Sequence, residues 1–321
     1  MLYTSNLEEL IFNRHQILNT DELIVLSGYL GPRPVERLGE LPFNTRVIYG
    51  MYGSDGIQRD LHNSLVGIQN NIPNVNIFYS NSAVHSKCYI WRRNGAVIYA
   101  LIGSANFSIN GLTTPFREVL AETTQDTFTP LNDYVNRIFN DSISCLEAGA
   151  IVIQDPILNQ EVCSMTLLMN NGEVHNASGL NWGYTASGQP AVKRGINDAC
   201  IPIRVDHIEN YPTLFPPKLI ERADGDFRGR RQRDNEAIEI IWDDGITMEG
   251  LLEGTQPVND LIYPKQISSF PTKSQLGVYI KNRIGVPLGQ PVRAFHLEQY
   301  GRTDIDVSSV GPGIYKFDFS V

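Results

Sequence analysis

The stretch VHSKCYIWRRNGAVIYALIGSANFS, from Val84 to Ser108, contains two apolar runs joined by an Asn-Gly pair. An Asn-Gly pair between two such runs is the strongest short-range signal for a β-hairpin. The stretch therefore predicts two antiparallel strands, VHSKCYIWRR and AVIYALIG. Polar residues lie near the start of the first strand and just after the second, at the same end of the hairpin. They are His85, Lys87, Ser104 and Asn106.

The sequence before this hairpin alternates between helix and strand patterns. ELIVLSGYLG, RVIYGMYG and VNIFYSN are short apolar runs typical of buried strands, whereas SNLEELIF and RDLHNSLVGIQNN repeat apolar residues at helical spacing. This order, with glycines at strand ends, predicts an α/β sheet that carries helices on its faces. After the hairpin, TPLNDYVNRIFNDSISCLEAG predicts one helix, with Thr129 as its N-cap and Pro130 in its first turn.

From about Ile151 the pattern changes to short strands separated by Gly, Asn and Pro turns. Examples are SMTLLMNNGEVHN, DACIPIRV and the hairpin AIEIIWDDGITMEGLLEG, and one helix pattern, SQLGVYIKNRIG, interrupts them. Such spacing predicts a mainly β barrel or sandwich. We expect the boundary between Gly149 and Ser164, which gives domains of 1–155 and 164–321.

The composition is that of an ordinary globular protein. Of its 321 residues, 42% are hydrophobic and 19% are charged, and no apolar run is long enough to span a bilayer. The N-terminus MLYTSNLEELIF has neither the basic nor the apolar region of a signal peptide. The four cysteines lie far apart and form no CxxC pair, which argues against a zinc site or a disulfide framework. Together these features predict a cytoplasmic protein with reduced thiols.

The net charge of −9 is not that of a typical nucleic-acid binder, but the charge is unevenly distributed. PPKLIERADGDFRGRRQR, residues 216–233, contains six basic and three acidic residues. This basic run fits a solvated loop and a phosphate-binding segment about equally well. Its clustered arginines are Arg228, Arg230, Arg231 and Arg233.

The polar residues of the hairpin suit the chemistry of a phosphodiester. Strand alternation predicts that His85 and Lys87 share a face, and the returning strand brings Ser104 and Asn106 towards them. A neutral imidazole can attack phosphorus and hold it as a phosphoamidate, while an ammonium, an amide and a hydroxyl can bind the charged oxygens. Gly103 would let the backbone approach the phosphate. Either motif alone would be ordinary strand or turn sequence, so only their combination favours a catalytic site.

The combination of HxK and GSxNxS resembles the signature of the phospholipase D superfamily. The resemblance implies that His85 is the nucleophile, that Lys87 and Asn106 bind phosphate, and that Glu118 orients the histidine. Two features depart from the usual pattern. The aspartate that normally follows the lysine by five residues is Arg92, and the spacing between the lysine and the GS pair is four residues longer than usual.

Sites of this superfamily need two HxK motifs, one histidine as nucleophile and one as general acid. Of the six histidines here, only His85 is followed by x-Lys. The resemblance therefore implies a two-fold homodimer, formed through the N-terminal domain, with one composite site. No carboxylate cluster with metal-ligand spacing accompanies the motif, so we expect neither a metal nor a cofactor.

The second half resembles the B3-like DNA-binding domain of restriction endonucleases of the BfiI and NgoFVII type. The resembling stretches include GLNWG, VKRGINDACIPI, LGVYIKNRIGVPLG and YGRTDIDVSSVGPGIYKFDFS. The resemblance implies a pseudobarrel that reads double-stranded DNA with two arms, while the arginine run binds phosphates. The first arm would carry Asn181, Trp182, Lys193, Arg194 and Asn197. The second arm would carry Glu253, Gln256, Tyr263 and Lys265.

Several of these residues also have ordinary structural interpretations. Trp182 and Tyr263 fit a hydrophobic core equally well, and Lys193 and Lys265 fit a solvated surface.

The two resemblances together predict a metal-independent restriction endonuclease that cuts through a phosphohistidine intermediate at sites chosen by its C-terminal domain. A separate ATP-driven translocase and a cognate methyltransferase are the partners that the resemblance suggests. The chain itself has no GxxxxGK[ST] motif for ATP. The alternatives are a non-specific nuclease or phospholipase, and a DNA-binding regulator with an inactive nuclease fold.

Overall fold

The computed structural model describes residues 1–114, 117–147, 161–218 and 235–321. It divides into two compact units, one of Met1–Leu158 with Val310–Ile314 and one of Asn159–Ser309 with Tyr315–Val321. The boundary expected from the sequence falls largely on residues 148–160, which lie outside the described part, so the limits 1–155 and 164–321 stay a prediction. Within the described ranges, no helix has the length and apolar character needed to cross a membrane.

The N-terminal unit is built on an eight-stranded mixed sheet with the order β1-β7-β6-β5-β2-β3-β4-β8. The β2–β3 and β3–β4 pairs are parallel and the other pairs are antiparallel. The strands are β1 Leu2–Tyr3, β2 Glu22–Ser27, β3 Asn44–Tyr49, β4 Val75–Ser80, β5 Lys87–Arg93, β6 Ala96–Gly103, β7 Leu120–Glu122 and β8 Ser142–Ser144. The helices are α1 Leu7–Asn13, α2 Pro32–Arg37, α3 Tyr52–Asp55, α4 Arg59–Asn71, α5 Ile109–Thr113 and α6 Phe128–Asn140.

The central strands are apolar on both faces because both faces are covered. In β2, all residues from Leu23 to Ser27 are buried. One face packs against α6, whose Val135 and Ile138 join the cluster that contains Ile24 and Ile90. Burial on both sides explains why ELIVLS reads as a continuous apolar run rather than an alternating one.

The central hairpin forms as the sequence predicts. Strands β5 and β6 pair antiparallel, and their turn places Asn94 at φ 50° and Gly95 at φ 78°. Two successive residues with positive φ form the turn type that matches the twist of a hairpin, and Asn-Gly is the pair that adopts it most easily.

The predicted helix after the hairpin differs from the observed one at both ends. Helix α6 begins at Phe128 rather than after Thr129, because a 3₁₀ turn, Gln125–Thr127, leads directly into it. Thr127 occupies the N-cap position and makes no side-chain capping bond. The segment after α6 leaves the helix and forms β8, which pairs with β4 at the edge of the sheet. A strand of three residues is too short to give a periodic signal.

The C-terminal unit contains a seven-stranded sheet with the order β10-β15-β12-β11-β17-β16-β9, beside a two-stranded ribbon of β13 and β14. Its core includes the buried side chains of Trp242 and Phe317. The strands are β9 Val162–Thr166, β10 Ile201–Pro202, β11 Glu236–Trp242, β12 Thr247–Glu253, β13 Gln256–Val258, β14 Leu261–Tyr263, β15 Gln266–Ser269, β16 Asp304–Gly311 and β17 Ile314–Asp318. The helices are α7 Val205–Asn210, α8 Ser274–Arg283 and α9 Ala294–Tyr300.

The sequence predicted one helix in this unit, α8, and missed α7 and α9. Both missed helices are short, and both begin with an unusual cap. The Nδ1 atom of His207 accepts the backbone N–H of Arg204 at 3.2 Å, and His296 accepts that of Arg293 at 2.9 Å. A histidine here takes the part that Glu or Gln plays in the familiar capping box, so the usual sequence signature is absent.

Candidate active site

His85 and Lys87 are in contact, but not for the reason that the sequence suggested. Strand β5 begins at Lys87, so His85 lies in the preceding loop and strand alternation does not orient it. The Lys87 Nζ atom lies 3.1 Å from Nδ1 and 3.2 Å from Nε2 of His85, and it donates to the backbone oxygen of His85 at 2.7 Å. In the ring plane, a position equally close to both nitrogens would collide with Cε1. The ammonium therefore lies over the face of the imidazole, and the nitrogens can still act within the plane.

Asn106 joins this pair at a point beside Gly28. Its Oδ1 atom accepts the backbone N–H of Tyr29 at 3.3 Å, which leaves the NH2 group as a donor for a phosphate oxygen. A Cβ atom on Gly28 would lie 3.0 Å from His85 Cδ2 and 3.4 Å from both Asn106 Oδ1 and Lys87 Nζ. Three predicted site residues therefore converge on one glycine, and His85 is exposed to solvent there.

Nothing in the sequence distinguishes Gly28 beyond its place at the end of an apolar run. Its importance comes from β5 pairing with β2, a contact between residues about sixty positions apart. A glycine at a strand end is the one signal that could have pointed to it, because such glycines often mark a close approach.

Ser104 and Gly103 fix the neighbouring segment, and the expected contact of Ser104 with a phosphate stays a prediction. The Ser104 Oγ atom accepts the backbone N–H of Val119 at 3.1 Å, and the Ser104 N–H donates to the Val119 oxygen at 3.0 Å. A Cβ atom on Gly103 would lie 2.0 Å from that oxygen. The glycine is therefore required for the approach of the segment before β7, and its expected role at a phosphate stays a prediction. By binding Val119, the two residues hold the adjacent Glu118 in place.

The charge of Glu118 acts on Lys87. Burial lowers the pKa of the Lys87 ammonium, and the negative charge of Glu118 opposes this shift. A buried lysine with a nearby carboxylate is suited to bind a phosphate oxygen as a cation. The expected role of Glu118 in orienting His85 stays a prediction.

Arg92 lies apart from these residues. It is buried at the opposite end of β5, where its guanidinium contacts the carboxylate of Glu22 at 3.5 Å and donates to Asn136 Oδ1 at 2.8 Å. Five residues of strand separate it from Lys87 by roughly 17 Å. The change from aspartate to arginine therefore alters the support between β5, β2 and α6, and not the polar groups around His85.

Three residues of the predicted DNA-binding arms have their side chains committed to internal bonds. Asn181 is fully buried; it donates to the backbone oxygens of Val292 at 2.8 Å and His175 at 3.1 Å and accepts the N–H of Val292 at 2.8 Å. Asn197 Oδ1 accepts bonds from a lysine and a backbone N–H, and Gln256 Nε2 donates to two backbone oxygens. These bonds tie loops together, and they do not favour base reading by the same groups.

Other residues of the two arms form one polar cluster. The guanidinium of Arg194 lies 4.2 Å from the centre of the Trp182 ring, and Lys273 Nζ lies 5.1 Å from it. Lys273 also forms an ion pair with Glu253. Burial raises the pKa of Glu253, but the bonds from Lys273 and Gln266 outweigh this effect and leave it lowered. The cluster thus joins the first arm to the second through Lys273, which the sequence did not single out.

The remaining predicted DNA-binding residues occupy different surroundings. Lys193 and Lys265 are exposed, while Tyr263 is half-buried and packs against the core. The arginine run of Arg228, Arg230, Arg231 and Arg233 lies outside the described residues.

The similarity to known proteins extends over almost the whole chain. The model of the NgoFVII restriction endonuclease N-terminal PLD domain matches residues 5–150. The model of the NgoFVII C-terminal B3-like DNA-binding domain matches residues 157–311. The chain belongs to the NgoFVII restriction endonuclease family. It is accordingly a DNA endonuclease with a phospholipase D-like nuclease domain and a B3-like DNA-binding domain, which confirms the predicted fold classes and enzyme class.

Solved structures are similar to less than half of this NgoFVII-family chain. NucT from Helicobacter pylori is 17% identical over 45% of this chain and 97% of its own, with a TM-score of 0.33. Nuc from Salmonella typhimurium, a phospholipase D family member, is 11% identical over 42% of this chain and 88% of its own, with a TM-score of 0.30. A polyphosphate kinase from Porphyromonas gingivalis is 13% identical over 45% of this chain and 23% of its own, with a TM-score of 0.31. No curated protein matches the chain.

Histidines other than His85 have local partners in the NgoFVII-family chain. His207 and His296 cap helices as described above, and His62 Nδ1 lies 3.0 Å from the hydroxyl of Tyr79. The remaining two bond to nearby backbone groups. Across the described ranges, no group of three or more His, Cys, Asp and Glu side chains is arranged to hold a metal ion.

Proposed function

We propose that the chain is a homodimeric restriction endonuclease that cuts DNA without a metal ion, through a covalent phosphohistidine intermediate on His85. The observation that carries this proposal is the convergence of His85, Lys87 and Asn106 beside Gly28, at a point open to solvent. A nucleophile and two donors for phosphate oxygens lie within reach of one another there. This is the set of groups that attack at phosphorus requires.

The reaction proceeds in two displacements. An imidazole nitrogen of His85 attacks phosphorus, the bond to the leaving oxygen breaks, and a second histidine gives its proton to that oxygen. Water then attacks the phosphoamidate, the second histidine takes the proton of the water, and the P–N bond breaks. Lys87 and Asn106 bind the non-bridging oxygens in both steps, so the developing charge is stabilised by the protein's own donors.

The second histidine comes from a second copy of the chain. His85 is the one histidine followed by x-Lys, and each of the others makes a local bond in its own surroundings. A two-fold axis near the site would bring two copies of His85 to opposite sides of one phosphate. The two rings would then titrate as a coupled pair, one neutral for attack and one charged for protonation.

The B3-like domain selects the site of cleavage. The cluster of Trp182, Arg194, Glu253 and Lys273 offers a flat ring, two cations and a carboxylate, which are groups that contact bases and phosphates. Lys193, Lys265 and Tyr263 extend this surface. The arginine run, Arg228 to Arg233, contributes phosphate contacts. Asn181, Asn197 and Gln256 stabilise the loops of the arms through their internal hydrogen bonds.

Digestion of phage DNA in the presence of EDTA tests the proposal against its alternatives. Discrete fragments indicate a site-specific enzyme that needs no divalent metal, and a smear indicates a non-specific nuclease. No cleavage by the chain alone, together with specific binding, indicates a regulator or a requirement for the separate ATP-driven partner. Digestion with and without methylation of the host DNA then tests the expected methyltransferase partner. The cytoplasmic location stays a prediction.

A further inference from the structure

His85 is an exposed side chain whose proposed task requires a fixed direction. It lies in the loop before β5, and exposed side chains without lateral contacts change rotamer within nanoseconds. An attacking group must be held within roughly 10–20° of the productive direction. The Lys87 ammonium covers one face of the ring, but a contact on one face leaves the ring free to turn away from it. A further contact is therefore needed to hold the imidazole.

The ring of Tyr29 supplies such a contact. Its centroid lies 5.9 Å from that of the His85 ring, and the two planes meet at 78°. Aromatic rings favour this edge-to-face arrangement at separations of about 4.5–7 Å. Because rotation of either ring loses the arrangement, Tyr29 limits the movement of the imidazole.

Tyr29 can act as a support because its own side chain is held at two points. Its hydroxyl donates to Asp55 Oδ2 at 2.6 Å. Burial and this bond raise the pKa of Tyr29 to about 12, so the hydroxyl stays protonated and keeps donating. Its ring lies edge-on to that of Tyr49, with centroids 6.1 Å apart and planes at 73°. Since Tyr49 is buried in β3, this contact ties the Tyr29 ring to the sheet.

The backbone of Tyr29 contacts another polar group of the site. Its N–H donates to Asn106 Oδ1 at 3.3 Å, and its carbonyl oxygen accepts the hydroxyl of Ser27 at 2.6 Å. One residue thus contacts the nucleophile through its side chain and the phosphate-binding amide through its backbone. The backbone bonds do not depend on the side chain, so a substitution at this position isolates the ring contact.

We propose that Tyr29 is a positioning residue whose ring holds the His85 imidazole in the direction of attack. The proposal rests on the proposed function, because the direction of the ring matters only if His85 is the nucleophile. Tyr29 forms no bond to phosphorus and transfers no proton. It raises the fraction of His85 rings that are aligned for reaction, so its loss should slow the chemical steps and leave the affinity for DNA unchanged.

Two substitutions separate the ring of Tyr29 from its hydroxyl. Tyr29→Leu removes the ring, so kcat for DNA cleavage should fall by about tenfold or more, as expected for a small misplacement of a reacting group. KM for DNA should stay constant. Tyr29→Phe keeps the ring and loses only the bond to Asp55, so it should recover most of the lost rate.

The matched control is Tyr99→Leu. Tyr99 is also half-buried, its hydroxyl donates to Glu122 Oε1 at 2.6 Å, and its ring lies 5.3 Å from that of Trp91. It precedes Gly103, the partner of Lys87 in the hairpin, by roughly 13 Å of strand. This variant should lose stability to a similar extent and keep its kcat. Equal losses of kcat in Tyr29→Leu and Tyr99→Leu would show that Tyr29 only supports the fold, and would overturn the proposal.

NMR of the full-length protein without DNA tests the ring contact independently of cleavage. The histidine rings are labelled with carbon-13, and the His85 signal is assigned by its loss in His85→Ala. We expect a nuclear Overhauser effect between the rings of His85 and Tyr29 in the wild type. Its absence would overturn the proposal whether or not the variants fold.

The order parameter of the His85 ring then measures how firmly it is held. In Tyr29→Leu it should fall to the range of flexible groups, below about 0.6, whereas in Tyr29→Phe and Tyr99→Leu it should stay at the wild-type value. An unchanged order parameter in Tyr29→Leu would contradict the proposal. If the wild-type protein cuts no DNA, the proposed function fails, yet these signals still decide whether Tyr29 holds the ring.

Discussion

In the N-terminal unit, the side chains of His85, Lys87 and Asn106 meet beside Gly28. In the C-terminal unit, three of the residues expected to contact DNA, Asn181, Asn197 and Gln256, form bonds to groups within the fold. Both sets are polar residues near loops, and the sequence offered no means to separate them. The difference is that a catalytic motif names the residue types that the reaction needs. A resemblance to a DNA-binding arm indicates only which segment binds, and not which of its side chains contact DNA.

A polar residue within a binding segment can serve the segment's shape or its ligand. Buried amides such as that of Asn181 must find internal partners, because an unpaired amide in the interior is costly. Exposed groups such as Lys265 have no such requirement. The comparison can therefore be tested by substitutions that separate loss of folding from loss of function.

The largest effect should follow His85→Ala in the N-terminal unit. Removing the nucleophile should lower the rate of cleavage by at least about 10⁴-fold, because the covalent route is lost. Binding to cognate DNA, measured by gel shift, should be unchanged, since the other unit supplies it. Cleavage by this variant at a rate near that of the wild type would show that His85 is not the nucleophile.

Asn181→Ala should have the next largest effect, on stability. It leaves the N–H and the carbonyl of Val292 without these partners in the interior, and it removes a partly buried bond to the carbonyl of His175. The loss should lower the free energy of unfolding of the C-terminal unit by about 3 kcal/mol. Asn176→Ala is the control, because Asn176 lies five residues earlier in the chain and is exposed, and its bond from Arg293 is made at the surface. It should change stability by less than about 0.5 kcal/mol. Equal midpoints of urea unfolding for the two variants would show that the buried bonds of Asn181 do not stabilise the C-terminal unit.

Gly28→Ala should slow cleavage while leaving the fold intact. The added methyl would lie 3.0 Å from Cδ2 of His85, which is tighter than ordinary contact, so the ring must shift, while Lys87 and Asn106 would only be touched at 3.4 Å. Small misplacements of catalytic groups cost about tenfold or more in rate. Gly67→Ala in α4 is the control, because its methyl meets nothing within 4 Å. It should keep full activity and raise stability by about 0.5–1 kcal/mol, as an alanine does in a helix. Full activity of Gly28→Ala would show that the site is not as close-packed as described.

The sequence could predict features that depend on neighbouring residues, but not those that depend on distant ones. Local signals were sufficient for the hairpin, whose Asn94-Gly95 turn needs nothing beyond its own residues, and for α4, which has the bounds of the pattern RDLHNSLVGIQNN. They also identified His85 and Lys87 as partners. Gly28 could not be found in this way, because only the pairing of β5 with β2 brings it to the histidine.

The short helices of the C-terminal unit show a second limit. Helices α7 and α9 have six and seven residues, too few for a clear period, and their histidine caps lack the usual residues. Lys273 was missed for a different reason. It lies outside both predicted arms in the sequence and joins them only through its contacts with Trp182 and Glu253.

The smallest effect concerns the exposed lysines of the DNA-binding unit. Lys265→Gln removes one cation that we expect to contact a phosphate, so the slope of log K against log salt should become less steep by about one. Affinity should fall by a similar factor for cognate and non-cognate DNA. An unchanged slope would indicate that Lys265 is only a solvated surface residue.

The central claim is that two copies of His85 form one site, and mixing subunits tests it most directly. Wild-type and His85→Ala chains are co-expressed with different tags in equal amounts, and exchange into mixed dimers is verified by mass. If both histidines are required, only wild-type pairs cut, and the activity should be about one quarter of that of the same amount of wild-type protein. If each subunit works alone, the activity should be about one half. A value of one half, with mixed dimers present, would contradict the composite site.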